Sequence, residues 1–352
     1  MSCNRCEKLP ELFFTNSDVY MNLPTDHLRE LFEHALEKKG YHFEQVDEGY
    51  LLKQVEFEDL INYLSTFVFN SIEQKDVKIL ALKKGDELKY SSLKHYRSLL
   101  EWQVLYQGQE VASIIKESRI KTLFQPIVES KTGEIYGYEA LSRGILKDDT
   151  MMNPEQLFSK AKAMDLLFYL DRLCRETSIR SASSQGITKK LFINFIPTAI
   201  YEPSLCLQST VKVLEEESID PDQVVFEVVE TEKVVDFGHL NQILDYYKSK
   251  GYSTALDDIG TGYSDISSLL KLRPNYMKID MTIIRDIHID EKKQALLDMF
   301  IEHGQKIGLK ILAEGIETVE EYQYLLTKKV DLMQGYLFGK PEEVPVTKIR
   351  LL

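Results

Sequence analysis

Apolar residues recur at helical spacing over Leu28, Leu31, Phe32, Ala35 and Leu36, after Thr25 and Asp26, which can cap a helix start, and before Gly40, which can end one. Residues 41–46 and 50–55 flank Asp47-Glu48-Gly49 and predict a hairpin. Phe57, Leu60, Ile61 and Leu64 repeat the helical pattern, and residues 77–82 read as a further strand. From 91 to about 118 there is no proline and a single glycine, with Tyr96, Leu99, Leu100, Val104, Val111, Ile114 and Ile115 in a mostly helical rhythm. That pattern predicts a long connecting helix bent at Gly108. Residues 1–108 are therefore expected to form a small α+β domain.

From about Gln109 onward the pattern changes to short apolar strands alternating with longer helical stretches. Strand-like runs fall at 135–141, 191–194, 224–229, 253–256, 276–280 and 309–313, and helical ones at 154–184, 204–217, 237–250, 264–272, 290–307 and 319–328. Regular alternation implies parallel pairing, and over residues 109–352 it predicts a closed eight-stranded barrel. In such barrels the loops after the strands form the working face, so polar groups at strand ends converge on one rim.

Those strand ends carry Glu139, Asn194, Glu227, Lys278 with Asp280, and Glu314, followed by a Gln334-Gly335-Tyr336 corner. Asp257 and Asp258 are the most telling. They close the apolar run that starts at Ser253 and open a glycine-bearing loop. Adjacent carboxylates repel, and a fold tolerates them most readily with divalent cations between the oxygens. Glu139, Asn194, Glu227, Asp257 and Asp258 offer oxygen ligands for hard cations. The seven histidines fall away from the strand ends, which disfavours zinc and favours magnesium or manganese. Two such ions about 4 Å apart activate a bridging water and stabilise both oxygens of an in-line displacement at phosphorus, so the implied reaction is phosphodiester hydrolysis. Lys278 is suited to orient the water or neutralise developing charge, and Glu314 to ligate the second metal or accept a proton. Each group alone also has a duller role: an acid as a helix cap or ion-pair partner, Lys278 paired with Asp280, Arg143 covering the rim, Gln334 satisfying a turn. Independent placement would seldom put all of them at consecutive strand ends. Paired barrel acids also suit a glycosidase, but adjacent Asp257 and Asp258 fit metal sharing better than two carboxylates facing across a sugar ring.

Charge narrows the partners. The formal charge is -13, with 20 acids against 14 bases through Ser118 and 36 against 29 after it, which argues against DNA, RNA or an anionic membrane as a partner. A small anionic substrate remains open, because carboxylate-held cations reverse the local field. No apolar run approaches the roughly 20 residues that span a bilayer, and the N-terminus lacks a basic segment followed by a hydrophobic one, so a soluble, cytoplasmic protein is expected. Four cysteines, Cys3, Cys6, Cys174 and Cys206, are too few and too scattered for a disulfide framework. Cys3 and Cys6 have zinc-ligand spacing with no second pair nearby, and read as ordinary thiols or as half of a site completed elsewhere. Trp102, the single tryptophan, reads as a packing anchor.

Several motifs occur in order: Gln125-Pro126-Ile127-Val128, Glu139-Ala140-Leu141 with Arg143, Ile193-Asn194, Glu227-Val228-Val229-Glu230, the run from Asp257-Asp258 to Ser264, Lys278-Ile279-Asp280, Ala313-Glu314-Gly315-Ile316-Glu317-Thr318 and Gln334-Gly335-Tyr336. Together they resemble the EAL domain of bacterial cyclic di-GMP phosphodiesterases. The resemblance implies a modified TIM (β/α)8 barrel with one antiparallel strand, which opens cyclic di-GMP to linear pGpG using two magnesium or manganese ions per site. It implies that Glu139, Asn194, Glu227 and Asp257 bind one metal, with Asp257 shared and Asp258 and Glu314 on the other. Lys278, Glu314 and Glu317 are the implied catalytic and supporting groups, with Lys278 on the catalytic water. Gln125, Leu141, Arg143 and Gln334 are the implied substrate contacts, Gln125 to a guanine and Arg143 to a phosphate. Glu230 is similar to the anchor of the loop after Asp258, and homodimerisation through the barrel is implied. The chain departs from the family at Ile259, usually Phe, and at Asp265, commonly a small polar residue. Both lie in the loop that couples dimerisation to metal binding in the family. Phe195-Ile196-Pro197 follows Asn194, where many relatives have a serine, with little catalytic consequence expected. The alternative is a receptor that binds the dinucleotide without useful turnover and signals through residues 1–108. Such relatives usually lose a metal ligand or the triplet glutamate, and this chain has lost neither.

Overall fold

In the computed structural model, residues 15–229, 236–260, 269 and 271–349 are described. Cys3, Cys6, Glu230, Asp265 and most of the predicted helix at 264–272 lie outside them. The described residues divide into two compact units, one of residues 15–113 together with Phe158–Leu166, the other of Ile114–Leu157 together with residues from Leu167 on.

The first unit carries an antiparallel sheet of β1 (Asn16–Asn22), β2 (Glu44–Val46), β3 (Gly49–Glu56), β4 (Lys78–Lys83) and β5 (Tyr96–Ser98), in the order β2-β3-β1-β4-β5. The predicted hairpin is β2 and β3, with Val46 opposite Gly49 across the two-residue loop Asp47-Glu48. The helix Asp26–Lys39 starts where Thr25 accepts from the Leu28 amide at 3.3 Å and stops at Gly40, whose φ of 78° is a left-handed stop. Central β1 is a strand that the residue pattern did not predict. The expected continuous helix from 91 is corrected as well. Tyr90–His95 is a 3-10 turn, Tyr96–Ser98 pairs with β4, and the α-helix begins only at Leu99 and ends at Gly108, before a second helix at Gln109–Lys116. The cause is local: Ser98 and Glu101 form a reciprocal capping box, which fixes the helix start there. Trp102 is the anchor expected, buried edge-on to Phe57 at 4.9 Å with its Nε1 donating to the Ile79 carbonyl.

In the second unit, β6 (Ile120–Glu129), β7 (Ile135–Ile145), β9 (Lys190–Phe195), β10 (Val224–Val228), β11 (Ser253–Ile259), β12 (Tyr276–Ile279), β13 (Lys310–Ala313) and β14 (Leu332–Gln334) close a barrel, with the short β8 (Met151–Met152) paired to β7. Strand β6 runs antiparallel to both β7 and β14, while the pairings from β7 through β9 to β14 are parallel. This is the modified eight-stranded barrel. The predicted helix at 154–184 is two helices, Pro154–Ala163 and Leu167–Ser184, with Asp165 left-handed between them at φ 56°. No helix among the described residues is long and apolar enough to cross a membrane.

Alternate residues of a strand face the same side. One residue from each of seven strands, Ile127, Phe192, Val225, Ala255, Tyr276, Leu312 and Leu332, meets in a buried apolar cluster. Two positions further along the parallel strands stand Asn194, Glu227, Asp257, Lys278, Glu314 and Gln334, and two positions back on reversed β6 stands Gln125. The apolar layer is the floor on which the polar groups sit.

Candidate functional site

Neighbouring strand residues point to opposite faces, so Asp257 and Asp258 could not both face the barrel mouth on a regular strand. The pairing of β11 with β12 shifts register between Leu256 and Ile259, and Asp258 is left-handed at φ 54°. This bulge turns both carboxylates the same way, and an aspartate accepts the conformation at low cost. Oxygens of Asp257, Asp258 and Glu314 lie within 4.8 Å of one another, as do those of Glu139, Glu227 and Asp257. Asp257 belongs to both groups.

Lys278 sits at the centre, only 1% exposed, with Nζ 2.7 Å from Glu314, 3.0 Å from Glu227, 3.1 Å from Asp257 and 3.6 Å from Glu139. Burial disfavours its charge, yet Asp257, Glu139, Glu227 and Glu314 outweigh that and hold the ammonium well above its usual range. The carboxylates respond unequally. Burial pushes Glu227 well up, and Glu139 and Asp257 add repulsion. Burial and Asp257 do the same to Glu314, and they raise Asp258 to about 6. Glu139 goes the other way despite its burial. Lys278 and two amides hold it down, Asn194 Nδ2 donating at 2.9 Å and Gln334 Nε2 at 2.7 Å.

The donor set fits hard divalent cations. Both Glu227 carboxylate oxygens, Asn194 Oδ1 and Gln334 Oε1 are buried without a hydrogen-bond partner. Glu227 Oε1 is near Lys278 but not in hydrogen-bonding geometry. Buried oxygens without donors are costly unless something positive completes them. All are hard oxygen ligands, with no histidine or thiolate among them.

The remaining candidates spread around this core. Gln125 lies opposite Glu139 in the β6–β7 register, buried, with Nε2 3.4 Å from the Gly339 carbonyl. Leu141 is half-buried on β7, and Arg143, also half-buried, donates to the Ser142 carbonyl at 2.9 Å. Glu317 is not brought to the carboxylates. It forms a two-pronged ion pair with Arg285, at 2.6 and 2.7 Å. Asp280, weighed as a partner for Lys278, instead caps the helix Met281–Ile284 by accepting from the Thr282 amide at 2.9 Å.

Two supporting acids escaped the sequence reading. Asp171 and Arg175 are a buried ion pair on the helix Leu167–Ser184, and Asp171 Oδ1 accepts from the Ile196 amide at 2.9 Å, two residues after Asn194. Glu321, with no exposed surface, accepts from the amides of Asp286, Glu317 and Thr318 at 2.9, 2.9 and 3.1 Å. It thereby ties the segments after β12 and β13 together beside Glu314. Thr318 to Glu321 has capping-box spacing, so that signal was readable.

Residues 109–341 match the family described as EAL domain. A cyclic di-GMP phosphodiesterase, NbdA of Pseudomonas aeruginosa, is 27% identical over 245 residues, 68% of this chain and 31% of the relative. A probable cyclic di-GMP phosphodiesterase, PdeG of Escherichia coli, is 29% identical over 236 residues, 64% of this chain and 45% of the relative. The chain thus spans less than half the length of both. Among solved structures, a standalone versatile EAL protein from Vibrio cholerae O395 in a c-di-GMP bound form is 36% identical with a TM-score of 0.60, covering 66% of this chain and 95% of that one.

Proposed function

The chain belongs to the EAL-domain family, and on that premise we propose that it hydrolyses cyclic di-GMP to linear pGpG with two magnesium or manganese ions. Relatives named as cyclic di-GMP phosphodiesterases support the substrate class. The observation that carries the reading is the pair of overlapping carboxylate groups that share Asp257.

Five carboxylates against one ammonium leave four formal negative charges in the cluster, which two divalent ions would balance. Glu139, Asn194, Glu227 and Asp257 would hold one ion, and Asp257, Asp258 and Glu314 the other. When bound, the ions supply Lewis acidity and a water acidic enough to attack phosphorus at neutral pH. Lys278 keeps its proton, orients that water and meets the charge that develops on the phosphoryl oxygens. Arg143 takes a phosphate oxygen, while Gln125, Leu141 and Gln334 seat the nucleotide. Glu317 acts at one remove, fixing the rim through Arg285. Residues 109–352 are the catalytic part, residues 1–108 a regulatory one, and the working assembly is a homodimer through the barrel. Met281 and Ile289, 46% and 71% exposed, offer apolar surface to such a partner; light scattering of the purified chain reads its mass directly.

Purified protein with magnesium or manganese is expected to convert cyclic di-GMP to pGpG, resolved by chromatography. Asp257→Asn and Glu139→Ala are each expected to abolish turnover, and activity untouched by both overturns the metal assignment. Calcium prefers looser, higher coordination, so it is expected to support binding and suppress hydrolysis. Binding without product under every divalent ion would replace this reading with that of a receptor.

A further inference from the structure

The inward faces of the barrel strands continue past the apolar floor to the mouth opposite the carboxylates. Two positions before that floor stand Lys190, Ser253 and Lys310, the first residues of β9, β11 and β13, and floor residue Tyr276 is itself the first of β12. With Tyr136, Asp222, Arg273 and Asn275 they line a cavity of about 760 Å³. That volume lies within the range of small-molecule sites. Three lining side chains are cationic and one is acidic, in a chain whose formal charge is -13.

The single acid is already matched, since the Asp222 carboxylate takes Lys190 Nζ at 3.0 Å. Arg273 and Lys310 form no ion pair among the described residues. Lys310 is nonetheless held in place. Its Nζ donates to the Tyr136 hydroxyl at 3.0 Å and stands 4.7 Å from the centre of that ring, while the Tyr136 and Tyr276 hydroxyls are 2.6 Å apart. The phenols position the ammonium without neutralising it. Two cations lining one concavity, without counter-charge among the described residues, make an anion the natural complement.

We propose that this mouth is a second ligand site, for a small polyanion of the pyrophosphate type held between Arg273 and Lys310. The planar guanidinium takes two phosphate oxygens and the ammonium a third. The inference does not depend on the proposed hydrolysis, because the apolar layer from Phe192 to Leu332 separates the two ends of the barrel.

The test is calorimetric titration of the metal-free full chain, in chelator, with inorganic pyrophosphate. Without metal the carboxylate cluster repels that probe. Saturable binding of one pyrophosphate per chain is expected, with a dissociation constant of about 1 mM or tighter. Arg273→Met and Lys310→Met are each expected to weaken it at least about tenfold, and Asp257→Asn to leave it unchanged. Both cationic residues are exposed, so the variants are expected to melt with the native chain. Titration without saturation, binding that persists in the two methionine variants, or binding lost in Asp257→Asn overturns the proposal.

Discussion

Lys278 is the counter-ion around which the acids can be buried before any metal arrives. Removing one partner from a buried charged group costs about 3–5 kcal/mol. Lys278→Met is therefore expected to lower metal-free stability by about that much, with manganese recovering a larger share of the loss than it adds to the native chain; urea unfolding in chelator and in manganese measures both. Glu321 makes the complementary case, a buried carboxylate supported by backbone amides. Burial opposes its charge, but the donors from Glu317, Asp286 and Thr318 win and hold its carboxyl below the usual range. A lowered folded value means the stabilisation is present above the unfolded carboxylate range and is lost as pH falls through the folded value. Glu321→Gln is expected to cost about 1–3 kcal/mol at neutral pH, with the gap to the native chain closing in acid. It is also expected to weaken manganese binding, read by the loss of free-ion signal in electron paramagnetic resonance, because the segment that carries Glu314 loosens. A gap that stays constant down to pH values well below the carboxylate range would remove the ionised Glu321 from this account.

At the scale of elements, the start of the helix at Leu99 rests on a few atoms of Ser98 and Glu101. Ser98→Ala is expected to destabilise the first unit by about 1 kcal/mol, measured as a shift in its chemical unfolding midpoint, since the Glu101 amide and carboxylate both lose the Ser98 hydroxyl while the Ser98 amide still donates to Glu101. That boundary shows where the sequence was legible and where it was not. Strong apolar alternation from Ile135 to Ala313 made the barrel readable, and barrel topology then gathered strand-end groups that are far apart along the chain. The helix at 91 was over-extended because apolar period alone does not register a cap, although Ser98-x-x-Glu101 was there to be read. The antiparallel β6 came from family resemblance, yet it has a local cause: only residues 130–134 separate β6 from β7, too few for the crossover that parallel pairing needs. The bulge that aligns Asp257 with Asp258 was not legible. Strand periodicity puts neighbours on opposite faces, and only the register against β12 shows the exception. Asp171 is illegible because tertiary folding brings the Ile196 amide to it, whereas for Glu321 only the Asp286 amide comes from afar and the local Glu317 and Thr318 amides were announced by capping-box spacing.

For the whole molecule, charge works against the proposed substrate at long range and for it at short range. The chain carries -13, and a cyclic dinucleotide brings two phosphodiester charges of the same sign, so approach through water is repulsive. Inside the site, two divalent ions would bring the cluster near neutrality, and half-buried Arg143 adds a cation on the same strand as Glu139. Salt screens the two fields unequally, because the Debye length falls from about 30 Å at 0.01 M to about 8 Å at 0.15 M, while a buried site is screened far less. Raising sodium chloride across that range at saturating manganese is therefore expected to raise kcat/KM by about two- to five-fold and to leave kcat unchanged. Initial rates at substrate well below KM read the first, and rates at saturation the second. If kcat/KM fell with salt instead, steering by cations at the rim, such as Arg143 and the Lys340 that sits 5.3 Å from the Tyr336 ring, would be stronger than the repulsion of the acidic chain as a whole.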